Sequence, residues 1–327
     1  MNSRFWLILI VRATWLTIGL SVLTTSAAWI AGKALPAGSR MAFMAVTDGS
    51  WDIYVMDVER QLIERLTWDD RVNERFPAWS PDGAQLAYHA DVTGQWELYI
   101  EDFSANTVRQ LTGTETLPRS VGTLGRIQGN AMAAWSPDGN RIAFHSDLSG
   151  NWNLFSIASD GSDLQQITSG LTDEVLAAWS PDGTHMTYTS GTDGFMFLTI
   201  ADADGSNPRR FSPVEALIGQ DGLVMTATGT VEDWHPDWSP DGRQVVFTSN
   251  LNGSTDIFIA QSDGSGYQQI TNDYDRDSNP IWTSTDEIIF VSDREGYSRI
   301  YRMNPDGTQL RPLTPKDWDT DAPAWYP

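Results

Sequence analysis

The chain has 327 residues, with 43 acidic against 21 basic side chains and a formal charge of −22. Such a charge repels nucleic acid and anionic lipid headgroups and attracts cationic partners and metal ions. Cysteine is absent, which excludes disulfides, a Cys-based zinc site, a thiol nucleophile and a lipid-modified cysteine.

Residues 1–31 read as a targeting segment. Arg4 and Arg12 precede an uncharged, largely apolar run from Ala13 to Ala31. The run is long enough to span a bilayer, and Ser26-Ala27-Ala28 offers small residues for cleavage. A signal peptide and a retained membrane anchor both fit. In either case the positive N-terminal flank predicts export of the remainder. The expected location is the periplasm or cell envelope. A linker covers 32–39, and 40–327 reads as one domain.

That domain is organised by a repeat. Ala78-Trp79-Ser80-Pro81-Asp82-Gly83 recurs at 134–139 and 178–183, and with Asp237 in first place at 237–242. A degraded copy runs from Ile281 to Asp286, and a truncated one from Ala324 to Pro327. The shortest spacings between the six tryptophans are 43 and 44 residues. A period of about 40–45 residues is that of a four-stranded propeller blade. Trp suits a buried strand. Pro presets the first turn residue and Gly takes the left-handed position. An apolar run such as Arg141–Phe144 follows each turn, so each copy predicts a hairpin.

The strands then come in a fixed order. Met41–Val46, Trp51–Asp57 and a short strand ending at Leu66-Thr67 give the first blade only three strands of its own. Ala322–Tyr326 is expected to supply the fourth and close the ring. Later third strands are expected at Trp96–Ile100, Trp152–Ile157, Phe195–Ile200, Asp256–Ala260 and Arg299–Met303. Outer strands end in Leu111-Thr112, Ile167-Thr168, Phe211-Ser212, Ile270-Thr271 and Leu313-Thr314. The prediction is all-β: a monomeric, six-bladed propeller of four-stranded antiparallel blades, behind an N-terminal hydrophobic helix.

These residues resemble the TolB-type beta-propeller repeat over nearly all of 40–327. TolB proteins carry an α/β domain before the propeller, and residues 32–39 leave no room for one here. Prolyl-oligopeptidase propellers use similar repeats beside a hydrolase domain, but this chain has no Gly-x-Ser-x-Gly elbow. The resemblance implies a channel that receives partner peptides.

Five positions before each Trp stand Glu74, Asn130, Glu174, Asp233 and Asp277, with Asp321 one residue closer in the last copy. The inner strands begin there, so these side chains are expected around the channel mouth. Clustered carboxylates call for a cation, either a basic peptide segment or Ca²⁺. A solvated, turn-forming set partly neutralised by Arg75 and Arg276 is the plainer account. Two entry loops are long, at about 113–132 and 213–235. They carry Arg119 and Arg126 in the first and Leu217 and Ile218 in the second, as candidate contacts. Asp273-x-Asp275-x-Asp277 and Asp317-x-Asp319-x-Asp321 look like calcium loops, but Ser278 and Ser284 replace the glycine and final glutamate in the first.

Three further groups require an account. His89, His145 and His235 would bind a metal if they converged, as in some propeller lyases acting on acidic sugars. Trp51, Trp96 and Trp152 start consecutive third strands and either pack between blades or stack sugars. Asp91, Asp147 and Asp293 precede Gly-containing loops and fit Asx turns. No nucleophile with its base, phosphate-cradling loop or nucleic-acid patch is present. The reading is a non-enzymatic interaction platform without a required cofactor. A metal-assisted carbohydrate lyase or hydrolase, or a sugar-binding propeller, is the alternative.

Overall fold

Each Trp-Ser-Pro-Asp-Gly copy folds as the tight turn its residues favour. The N–H of Gly83 donates to the Ser80 carbonyl at 2.8 Å, and Gly139, Gly183 and Gly242 repeat the bond. These glycines hold φ between +65° and +71°, where a side chain would be strained. The Ser80 hydroxyl donates to Asp82 at 2.6 Å and accepts from the Gln85 N–H at 2.9 Å. The motif is therefore a self-contained corner that starts a hairpin.

The computed structural model describes residues 39–47, 49–113, 130–192, 195–211, 225–226 and 229–326. The proposed targeting segment and most of the linker lie outside these. Six four-stranded antiparallel sheets form, and no helix occurs among the described residues. Blade 1 contains Arg40–Val46, Trp51–Asp57 and Leu62–Arg65, and its inner strand is Asp319–Trp325 from the far end of the chain. Each later blade runs inside to outside. Blade 2 starts at Glu74–Trp79, blade 3 at Asn130–Trp135 and blade 4 at Asp173–Trp179. Blades 5 and 6 start at Asp233–Trp238 and Asp277–Trp282. The six-bladed ring, closed by the C-terminal strand, is the expected architecture.

The core lies between blades. Leu98, Ile100 and Ala87 of blade 2 pack on Trp135, Ile142 and Phe144 of blade 3. Met41 and Phe43 of blade 1 pack on Ile289 and Ile300 of blade 6. Second and third strands are buried on both faces, which is why they read as continuous apolar runs. The connectivity gives the ring two distinct faces. All Ser-Pro-Asp-Gly turns lie on one. The entries to the inner strands and the loops between second and third strands lie on the other.

Candidate functional site

The carboxylates before each Trp lie inside the blade seams. Glu74 is 2% exposed, Glu174 is buried, and Asp233 and Asp277 are fully covered. Glu74 accepts from Thr67, Glu174 from Thr168 and Asp277 from Thr271. Each threonine ends the preceding blade and also accepts a third-strand N–H, as Thr67 does from Ile53 at 2.9 Å. The residue two before the bulge thus stitches one blade to the next. Thr320 plays this part in blade 1, bonding Thr314 at 2.9 Å. Asp321 instead pairs opposite Met44 and accepts from Asn279 at 2.5 Å. It is the counterpart of Arg75, which pairs opposite His89. Asn130 begins the inner strand of blade 3. Burial, with Asp52 nearby, pushes the Glu74 carboxyl up to about 8. Burial also raises Glu174, Asp277 and Asp321. Arg119, Arg126, Leu217 and Ile218 lie outside the described residues.

The channel wall is made one or two residues further along. Every inner strand slips register just before its Trp. The residue at each slip turns left-handed: Phe76, Met132, Leu176, His235, Asn279 and Ala322 hold φ between +47° and +60°. Such a bulge re-aims a side chain. All six line a central cavity of about 370 Å³. A signal for this existed in the sequence. Pro77, Pro236, Pro280 and Pro323 follow four of the six, and proline cannot donate to a strand ladder.

The cavity is chemically two-sided. Phe76, Met132 and Leu176 make blades 2 to 4 apolar. His235, Asp237 and Asn279 make blades 5 and 6 polar. Asp237 stands where other blades carry Ala or Ile, and it accepts the Trp282 N–H at 2.7 Å. Burial pushes its carboxyl up to about 7. Burial, then the charge of Arg276, holds His235 down to about 4. Burial, then His89 and His235, holds His145 down to about 3.

The histidines influence one another without forming a ligand set. His89 packs on Phe76 at 6.5 Å and His145 on Trp152 at 5.1 Å. Among the described residues, the cluster with metal-ligand spacing is Asp256, Asp273 and Asp277. Arg294 fills that cluster, reaching both Asp277 oxygens at 3.0 Å and Asp273 at 3.1 Å. A guanidinium therefore stands where the calcium reading of Asp273–Asp277 would put a cation. Trp51 and Trp96 flank Arg75, whose guanidinium lies 5.5 and 5.0 Å from their rings. Asp91 and Asp293 anchor inner-strand entries, accepting the N–H of Asn73 and of Arg276 at 2.8 Å each.

A family model described as the TolB beta propeller domain matches residues 114–221 and 219–327. The chain belongs to that family. A second model, the dipeptidyl peptidase IV N-terminal region, matches residues 47–146 of this TolB-type propeller. Among curated proteins, the uncharacterized peptidase YuxL of Bacillus subtilis is 30% identical over 122 residues, covering 35% of this chain and 18% of that protein. The Tol-Pal system protein TolB of Helicobacter hepaticus is 26% identical over 95 residues, covering 29% of this chain and 20% of that protein. The matches therefore span about a fifth of those relatives. In three dimensions, TolB from Acinetobacter baumannii superposes with a TM-score of 0.68 at 18% identity, over 88% of this chain and 67% of that one. A putative TolB from Agrobacterium tumefaciens gives 0.61 at 21% identity, over 89% and 100%.

Proposed function

We propose that this TolB-type propeller is a non-enzymatic platform that receives a protein partner's peptide segment at its channel mouth. The observation that carries the reading is an asymmetry between the two faces. Among the described residues, Trp68, Val92, Leu171, Phe195, Tyr274 and Tyr297 are exposed on the mouth face. Leu62 and Leu310 are the exposed large apolar side chains of the turn face. Apolar groups concentrated on one face favour a partner there. Inside, an apolar side chain of the segment would meet Phe76, Met132 and Leu176, and its backbone would meet His235 and Asn279. The −22 charge favours basic residues flanking that segment. Residues 1–31 support an extracytoplasmic setting, by a cleaved signal or a retained anchor.

The test is capture from the source organism's envelope fraction with three baits. They are the natural chain, Leu176→Trp to narrow the channel, and Leu310→Ser on the turn face. An aromatic ring at this backbone position already exists at Phe76, so Leu176→Trp keeps the local geometry. A partner kept by the natural chain and L310S but lost by L176W supports the channel reading. A partner retained equally by all three overturns it.

A further inference from the structure

A second cavity, of about 180 Å³, opens in the seam between blades 5 and 6. Trp234 and His235 reach it from the inner strand of blade 5 and Thr248 from the neighbouring strand. Arg276 and Ser278 reach it from blade 6, and Glu232, Asn250 and Thr255 complete the wall.

The wall is short of partners. Thr248 is 3% exposed, yet its hydroxyl has no hydrogen-bond partner among the described residues. The Nδ1 of His235 is in the same condition. Leaving a buried polar group this way is costly, so two of them on residues that line one cavity call for an occupant. Arg276 is exposed and forms no ion pair among the described residues, although acids outnumber bases by 43 to 21. Arg65, Arg141, Arg294 and Arg299 pair with carboxylates at 2.6–3.0 Å, whereas Arg276 acts on Asp321 only from a distance.

These groups share one chemistry. Guanidinium donates, and a hydroxyl and a neutral imidazole can each donate as well as accept, so a carboxylate can satisfy all three. Glu232 accepts the Trp234 indole N–H at 3.4 Å. Its carboxylate therefore disfavours a bare anion and favours one with a donor beside it. The Trp234 ring adds a flat apolar wall. The volume holds roughly six water-sized groups at about 30 Å³ each, the heavy-atom count of lactate or alanine.

We infer that the seam between blades 5 and 6 binds a small α-hydroxy or α-amino carboxylate, with Arg276 and Thr248 on its carboxylate and Glu232 on its hydroxyl or ammonium group. The site shares His235 with the channel wall, but its ligand contacts through Arg276, Thr248 and Glu232 lie outside the channel, so either reading can fail alone.

The experiment follows indole N–H resonances of the ¹⁵N-labelled full chain during titration with L-lactate, L-alanine and methyl lactate. Trp234→Phe assigns the reporting resonance. A saturable shift with either acid is expected. Binding should weaken at least fivefold in Arg276→Gln and in Thr248→Val, and stay unchanged in Arg311→Gln, an exposed arginine outside the cavity. Three results would overturn the proposal: an equal shift with methyl lactate, full binding by R276Q, or no shift with either acid, which would leave the cavity to water.

Discussion

Glu101 sits on the third strand of blade 2, only 1% exposed, and burial lifts its carboxyl to about 8. Its Oε1 has no hydrogen-bond partner among the described residues. In the unfolded chain the same group titrates near 4.5. Between those two values the native state holds more protons than the unfolded one, so stability falls as pH rises from about 4.5 to about 8 and then levels off. Glu101→Gln removes the charge while keeping the shape. The variant should exceed the natural protein in stability at pH 8.5, by on the order of 1–3 kcal/mol, and the gain should shrink towards pH 4.5. Urea unfolding at the two pH values measures this, and parallel curves would refute it. Little at this scale was legible in the sequence. The acids before each Trp were visible, and their repetition was visible, but a strand buried on both faces carries no label for which carboxylate meets water. The spacing from Thr67 to Glu74 and from Thr168 to Glu174 held the information, since each threonine lies six or seven residues before the acid it serves.

At the scale of the strand, the hairpins were legible because their causes are local. Ser-Pro-Asp-Gly sets its own turn, and the apolar runs on either side set the strands. The third strands fall within a residue or two of expectation, at Glu97–Asp102 and Asn153–Ala158 for example. The bulges were not legible, because they answer to the whole ring. Six inner strands converge, and a straight pleat would aim alternate side chains into neighbouring blades rather than into the channel. The cost is a left-handed backbone at six residues other than glycine, at about 1–2 kcal/mol each. Ala322 isolates that cost, since its φ is +47° and its side chain is a single methyl. Ala322→Gly should stabilise the protein by roughly 0.5–1 kcal/mol, the relieved strain less the added freedom of the unfolded chain. Thermal unfolding would show a higher midpoint, and a lower one would mean that the methyl packs more than the backbone strains.

For the whole molecule, the closing strand decides whether six blades behave as one unit. Asp319–Trp325 pairs with Arg40–Val46 from the opposite end of the sequence. Its last turn of contacts goes beyond the ladder. The Tyr326 N–H donates to Arg40 at 2.8 Å, its ring meets Trp79 edge-on at 5.2 Å, and the Arg40 guanidinium lies over it at 4.8 Å. Tyr326 also lies where a Cβ on Gly83 would be, so the tyrosine joins blade 1 to the first corner of blade 2. Closure covers the edge of Arg40–Val46 and ties the most distant parts of the chain. Its loss should therefore be felt everywhere, unlike the loss of an exposed outer strand. Tyr326→Ala should lower the melting midpoint while leaving one cooperative transition, at a cost of roughly 3 kcal/mol for a large aromatic truncated in a packed site. Deleting 321–327 should go further, exposing the edge at Met41–Val46 and lowering the stability of all blades together. Hydrogen exchange separates the two possibilities. Amides of Val245–Phe247 in blade 5, far from the cut, should lose protection in the deletion if closure couples the ring. If they keep the protection of the intact chain, each blade is held by its neighbours alone, and the closing strand merely completes blade 1.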